Sequence, residues 1–240
     1  MRIALLAALL APAAPAAAQS IAGGVEATNE EVRRGLGWSQ GRASVSADAT
    51  ATLGPLDAGV RVAALRGSSR HADTDAVADL SLAAGWDLGA VRVRATGIGH
   101  LFAGADASMD YVELGGSASY TLGPVRASAG ALYAPSQDAI GGSNLYLYAG
   151  ADAGIPGTPF TAIAQLGRSS GNVDDPVRAQ RLRPGGRYID WRLGVEHRRG
   201  RLTLGLDYLG TDVSRRQALG PYADPAHAGD RVVGRARIDF

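Results

Sequence analysis

The stretch Ala43-Ser44-Val45-Ser46-Ala47-Asp48-Ala49-Thr50-Ala51-Thr52-Leu53 is followed by Gly54-Pro55 and then by Leu56-Asp57-Ala58-Gly59-Val60-Arg61-Val62. Apolar residues fall at every second position on both sides of the Gly-Pro pair. That is the period of a β-strand with one apolar and one polar face. Gly supplies a positive φ and Pro fixes the next residue, which suits a two-residue type II′ hairpin turn. With Leu53 opposite Leu56, Asp48 meets Arg61 on the polar face, while Ala49 meets Val60 and Ala47 meets Val62 on the apolar face. A slip of one residue would carry the charges onto the apolar side.

The same period continues outward from this hairpin. Val91, Val93, Ala95 and Leu101 alternate with Arg92, Arg94, Thr96 and His100, and Leu145, Leu147, Ala149 and Ala151 alternate with Tyr146, Tyr148, Gly150 and Asp152. Twelve strands are predicted, near 24–36, 42–53, 56–66, 76–87, 90–101, 108–122, 125–134, 144–155, 158–168, 188–198, 201–209 and 230–240. Short turns are predicted at Gly54-Pro55, Leu88-Gly89, Gly123-Pro124, Pro156-Gly157 and Arg199-Gly200, and the longest connections at 169–187 and 210–229. Turning the later hairpin at Arg199-Gly200 would place Arg192 opposite Asp207 and Trp191 opposite Tyr208. An even number of strands of about ten residues, with short turns at one end and long loops at the other, is the pattern of a transmembrane barrel. A soluble β-sandwich would need a bulkier apolar core than a chain with 3 Phe supplies, and no dry core takes so many charges unpaired. The expected fold is all-β, a transmembrane antiparallel up-and-down β-barrel of twelve strands.

Composition narrows the chemistry. The chain has 240 residues, 33 of them Gly, with no Cys and no Lys, and 24 basic residues stand against 23 acidic ones. Without Cys there is no thiol catalysis, Cys-ligated metal or disulfide. A charge near zero leaves no footprint for nucleic acid, and no cofactor is expected. Arg2 precedes an apolar run from Ile3 to Ala18 that contains Pro12 and Pro15 and ends in small residues. This reads as a cleaved signal peptide over residues 1–18, with a single barrel over 19–240.

The residues expected to face the lumen, lining a pore or pairing across it, are Asp48, Arg61, Arg92, Arg94, Glu113, Arg126, Asp152, Arg192, Glu196, Asp207, Arg235 and Arg237. Trp86, Tyr120 and Phe240 near the short turns, and Tyr208 and Trp191 nearer the loops, read as interfacial girdles. Gly167-Arg168-Ser169-Ser170-Gly171 fits a nucleophile-elbow pattern but precedes a Pro/Asp/Arg-rich stretch, so it reads as the entrance to a flexible loop. His71, His100, His197 and His227 read as exposed to solvent or headgroups, and Asp73-Asp75 and Asp174-Asp175 as solvated loop charge without regular metal-ligand spacing.

The opening Glu26-Ala27-Thr28, Arg34-Gly35-Leu36 and Ser39-Gln40, the stretch Met109-Asp110-Tyr111-Val112-Glu113-Leu114 with Gly116-Ser117 and Ser119-Tyr120, and the segments 188–195 and 231–240 resemble the TorF family of Gram-negative outer-membrane porins. Val32 stands where that family commonly has an aromatic. The resemblance implies a barrel with a transport role and names no solute. A strand ending on Phe240 also resembles the signal by which outer-membrane proteins are recognised for assembly.

The expected function is an outer-membrane channel for passive diffusion of small hydrophilic solutes. Its expected partners are those solutes, outer-membrane lipid and lipopolysaccharide, and the barrel-assembly machinery, with both termini periplasmic. Two other readings stay open: a structural or interaction barrel whose lumen is closed by charge pairs, and an outer-membrane hydrolase.

Overall fold

The computed structural model describes residues 19–240, so the expected signal peptide lies outside the described residues. Twelve antiparallel strands close into a barrel. They are β1 (Gln19–Thr28), β4 (Ser44–Leu53), β5 (Leu56–Ser68), β6 (Thr74–Leu88), β7 (Val91–Ala103), β8 (Tyr111–Leu122), β9 (Val125–Gln137), β10 (Gly142–Gly154), β11 (Phe160–Ser170), β12 (Tyr188–Arg199), β13 (Leu202–Thr211) and β14 (Arg231–Asp239). Each strand pairs with its sequence neighbours, and β1 closes the ring against β14. Two further short strands, β2 (Val32–Arg33) and β3 (Leu36–Gly37), form a small separate hairpin.

Alternation decides the faces. Val60, Leu82, Leu114, Leu193, Leu206 and Ile238 project outward and are exposed, forming an apolar outer surface. The girdle aromatics Trp86, Tyr120, Tyr208 and Phe240 are exposed as well. A barrel this apolar on the outside and charged on the inside matches a lipid surround and a hydrated interior.

The first hairpin has the expected register, with Asp48 opposite Arg61, Ala49 opposite Val60 and Leu53 opposite Leu56. The later hairpin differs. Arg199 pairs with Leu202, so the turn is Gly200-Arg201, and Arg192 lies opposite Leu209, Leu193 opposite Tyr208 and Gly194 opposite Asp207. The physical reason is the dihedral demand of the turn. Gly200 has φ +60 and Gly89 has φ +65, and a II′ turn needs that value at its first position. Gly therefore opens each turn, and the β6–β7 turn is Gly89-Ala90 instead of Leu88-Gly89. A shift of two residues preserves the faces, so no charge moves to the outside. The turn expected at Pro156-Gly157 is wider, with Ile155 N–H donating to Phe160 O at 2.9 Å across residues 156–159.

The largest departure is at the start. The sequence reading runs the first strand through 24–36, but β1 ends at Thr28 and residues 29–43 turn into the barrel. A hydrophobic cluster sits inside the long-loop end, built from Leu36 and Trp38 of this segment together with Leu65, Val77, Tyr111, Ile140, Leu182 and Tyr188. Residues 171–187 cover it, and they include a short helix, α1 (Pro176–Ala179), whose first turn is capped by the Asp175 side chain.

Candidate functional site

The inward segment is shaped by local chemistry. Thr28 Oγ1 accepts from Glu30 N at 3.3 Å and donates to Gly234 O at 3.1 Å, fixing where the chain leaves the wall. Arg34 (φ +50) and Gly35 (φ +71) then form a two-residue turn with positive φ at both positions, as type I′ hairpins require. Val32 pairs with Gly37 and Arg33 with Leu36 around this turn. A side chain at Gly37 would collide with Glu30, His227 and Arg231, so a larger residue here must displace them.

The segment carries two acids followed by two bases, and each reaches a wall of opposite sign. Glu30 accepts from Arg231 of β14 at 3.2 Å. Glu31 accepts both arms of Arg61 of β5, at 2.8 and 2.9 Å. Arg33 bonds Asp79 of β6 at 2.8 Å. Arg34 pairs with Glu113 of β8, donating to Oε1 at 3.0 Å. Its backbone carbonyl also accepts from Tyr188 Oη at 3.0 Å. Burial raises the Glu31 carboxyl, but the guanidinium groups of Arg61 and Arg33 outweigh this and hold it below the usual carboxylate range.

Of the twelve residues picked out from sequence, the structure brings several together in ways the sequence did not indicate. Arg61 turns to Glu31 instead of its register partner Asp48, and Asp48 pairs with Arg237, one arm at 3.0 Å. Arg192 does meet Asp207, the partner expected for it, at 2.8 and 3.0 Å, but diagonally and not as its directly opposed residue. Arg235 joins the same carboxylate at 3.0 Å and also reaches Glu196. Nearer the short turns, Arg126 pairs with Asp152 at 3.0 Å, Arg92 with Asp87 at 3.1 Å, and Arg94 with Asp57. Glycines on the inner face make room for these flat-lying side chains. A Cβ on Gly205 would sit 2.7 Å from Arg235 Nε, and one on Gly130 would sit 2.6 Å from Tyr148 Oη.

Sequence reasoning missed Glu30, Glu31, Arg33, Arg34, Asp79 and His100. A signal was present for the first four: adjacent like charges put one charge on each face, which no strand facing lipid tolerates. His100 and His71 are corrections. His100 is buried, with Nδ1 2.7 Å from Asp79 and its ring stacked 4.3 Å from that of Tyr111. His71 is fully buried against Trp38, ring centroids 4.2 Å apart, and its Nδ1 accepts from Arg181 Nε at 2.8 Å. The expected exposure fails because the loops fold back over the mouth. Arg168, Ser169 and Ser170 are the last three residues of strand β11, which runs right up to the loop entrance, and Ser169 is buried with its hydroxyl unpartnered. Among the described residues, no group of three or more His, Cys, Asp or Glu is arranged to hold a metal.

Two predictions arise from these contacts. Glu113 is fully buried, so Arg34→Ala leaves a buried carboxylate with only His100 beside it, 3.4 Å away. Breaking one side of such a pair should cost about 3 kcal/mol. Unfolding in urea should show this loss, and Arg34→Ala/Glu113→Gln should recover part of it; no recovery would mean that the charge is not the cause.

The second concerns pH. Burial, with Arg181 and Arg70 nearby, depresses the His71 pKa well below 6.5. A depressed histidine stabilises fully above its unfolded value, and that stabilisation drains away as pH falls from 6.5 toward the folded value. Proteolytic cleavage within 171–187 should therefore quicken below about pH 6.5. His71→Gln keeps an acceptor for Arg181 and should flatten this dependence; an unchanged profile would contradict the assignment.

Open space remains on both sides of the inward segment. One cavity of about 340 Å³ is bounded by Glu26, Glu31, Arg34, Asp190, Arg192 and Arg235. Another of about 430 Å³ is bounded by Asp48, Thr50, Arg61, Asp79, Ser81 and His100.

Comparison with known proteins agrees with this architecture. The family described as "Bacterial protein of unknown function (Gcw_chp)" matches residues 12–229. Among solved structures, the chain is similar to the KdgM porin, with a TM-score of 0.57 at 6% identity over 92% of this chain and 97% of that one. It is also similar to OmpT, an outer membrane protein of Vibrio cholerae in its trimer form, with a TM-score of 0.50 at 11% identity over 92% and 99% of the two chains. At these identities the likeness is one of fold. No curated protein matches the sequence.

Proposed function

We propose, for a chain that belongs to the Gcw_chp family of bacterial proteins of unknown function, the role of an outer-membrane channel passing small hydrophilic solutes by passive diffusion. The observation that carries this reading is the charged space of about 340 and 430 Å³ beside the inward segment. A barrel filled by side chains would leave no such space beside the segment. The resemblance to the TorF family of porins supports the same reading. The lumen-facing residues are those named above, and residues 29–43 form the constriction. Acids and bases are nearly balanced along the inner face, which favours weak ion selectivity because opposite fields largely cancel.

A second reading has its own support. The cluster of Leu36, Trp38, Leu182 and Tyr188 packs across the long-loop end, as a closed interaction barrel would require. Planar-bilayer recording separates the two. The channel reading expects small, weakly selective steps; complete silence at all voltages would favour the closed barrel.

Orientation is part of the proposal. Short turns and termini would face the periplasm, and long loops the outside. Tags at Val177 and Leu219, both exposed on the loops, should be reachable on intact cells, and one at the Gly123 turn should not. Ala218 is unsuitable because it is buried. Surface labelling at Gly123 would overturn the orientation.

A further inference from the structure

We infer that the lumen holds a binding site for elongated zwitterionic solutes of short-peptide size, and that the chain's own residues 30–34 occupy it in this structure. The inference rests on the channel reading for its transport meaning, and on the contacts of this segment for its chemistry. Arg231 is on β14 and Glu113 on β8, and these strands lie six places apart in either direction around the ring of twelve. They are diametrically opposed. The segment spans the lumen between them, its Glu30 on Arg231 and its Arg34 on Glu113.

The walls define what could take its place. Were the segment to leave, Arg61 could turn to its register partner Asp79, so that pair would satisfy itself. Glu113 would keep only His100, and Arg231 would keep no carboxylate. A buried charge stripped of its partner is costly, so the replacement must bring a cation to β8 and an anion to β14. A monoanion or a monocation satisfies one wall and leaves the other bare. Residues 30–34 span at most about 13 Å, four steps of extended chain. An amino acid is too short to match that backbone span, and an extended peptide of about four residues with free termini matches it.

Tetraglycine and its blocked forms supply matched probes. Free tetraglycine is a zwitterion at neutral pH, the N-acetyl form an anion, the amide a cation, and the doubly blocked form neutral. Trp38 reports displacement directly, because it follows the segment's turn and carries the Arg33 guanidinium 4.3 Å from its ring. In the full chain carrying Trp86→Phe and Trp191→Phe, Trp38 is the only tryptophan left. Free tetraglycine should shift Trp38 emission at a concentration about tenfold lower than either singly charged form, because each wall contributes a charge-assisted contact. Arg231→Gln should remove the advantage of the zwitterion over the cation.

Equal responses to all four peptides, or no response to free tetraglycine, would overturn the inference. Bilayer currents from the unsubstituted chain keep the two readings apart. A Trp38 response selective for tetraglycine in a silent barrel upholds the site and defeats the channel. Currents without any such selectivity uphold the channel and defeat the site.

Discussion

Removal of residues 30–40, joining Asn29 to Gly41, should raise single-channel conductance severalfold while the barrel still folds. Thr28 and Ser44 are directly paired in the wall, so the shortened connection of Asn29, Gly41, Arg42 and Ala43 is an ordinary four-residue hairpin loop. The deletion takes away four salt-bridging side chains and the Leu36 and Trp38 contribution to the cluster under the loops. Arg61 and Asp79 could then satisfy each other as register partners, whereas Glu113 and Arg231 would lose theirs, so the variant should fold with reduced stability. Conductance unchanged from that of the intact chain, in a variant that remains folded by heat-modifiable mobility, would show that residues 29–43 are not the constriction. A variant that fails to fold would be replaced by Arg33→Ser/Arg34→Ser, which loosens the segment from the β6 and β8 walls without shortening the chain. That variant should also conduct more than the native protein.

The second large effect is expected at the chain end. Phe240 presents 67% of its surface to the outside, so Phe240→Ala forfeits little burial. Its backbone meanwhile closes the ring, with Phe240 N–H donating to Gly23 O at 3.0 Å and Gly23 N–H donating to Phe240 O at 3.3 Å. The Ala variant keeps both bonds. Even so, the yield of folded barrel in cells should drop severalfold, because the aromatic terminus is proposed to be read by the assembly machinery. Refolding of the same variant in detergent should proceed normally. Equal yields in cells would refute the recognition role, and a matching loss in detergent would reassign the effect to stability.

Much of the architecture was legible in the chain. The period of two is a local property, since successive side chains point to opposite faces whatever lies beyond them. Strand number, the inward or outward sense of the charged residues, and the Gly54-Pro55 register all follow from sequence neighbours. The two misplaced turns, Gly89-Ala90 and Gly200-Arg201, were also local matters. The positive φ belongs to the first turn position, and the Gly itself marks it. Even these errors preserved every face, because a slip of two residues costs nothing in polarity.

Apart from Arg192 with Asp207, the contacts that make the interior were not legible. Arg34 meets Glu113 across 79 positions, Glu30 meets Arg231 across 201, and Asp48 meets Arg237 across 189. Alternation fixes which way a side chain points but says nothing about which of several lumen charges it reaches. Several acids and bases share that space, and a long guanidinium can choose among them. The choice falls to the closed ring, which sets the distances, and to the inward segment, which inserts Glu31 between Arg61 and its register partner. Local periodicity thus determined the barrel and its two faces. Only closure of the ring, by bringing distant charges within hydrogen-bonding reach and turning residues 29–43 inward for lack of any strand face that could hold Glu30-Glu31 and Arg33-Arg34, decided what fills the lumen.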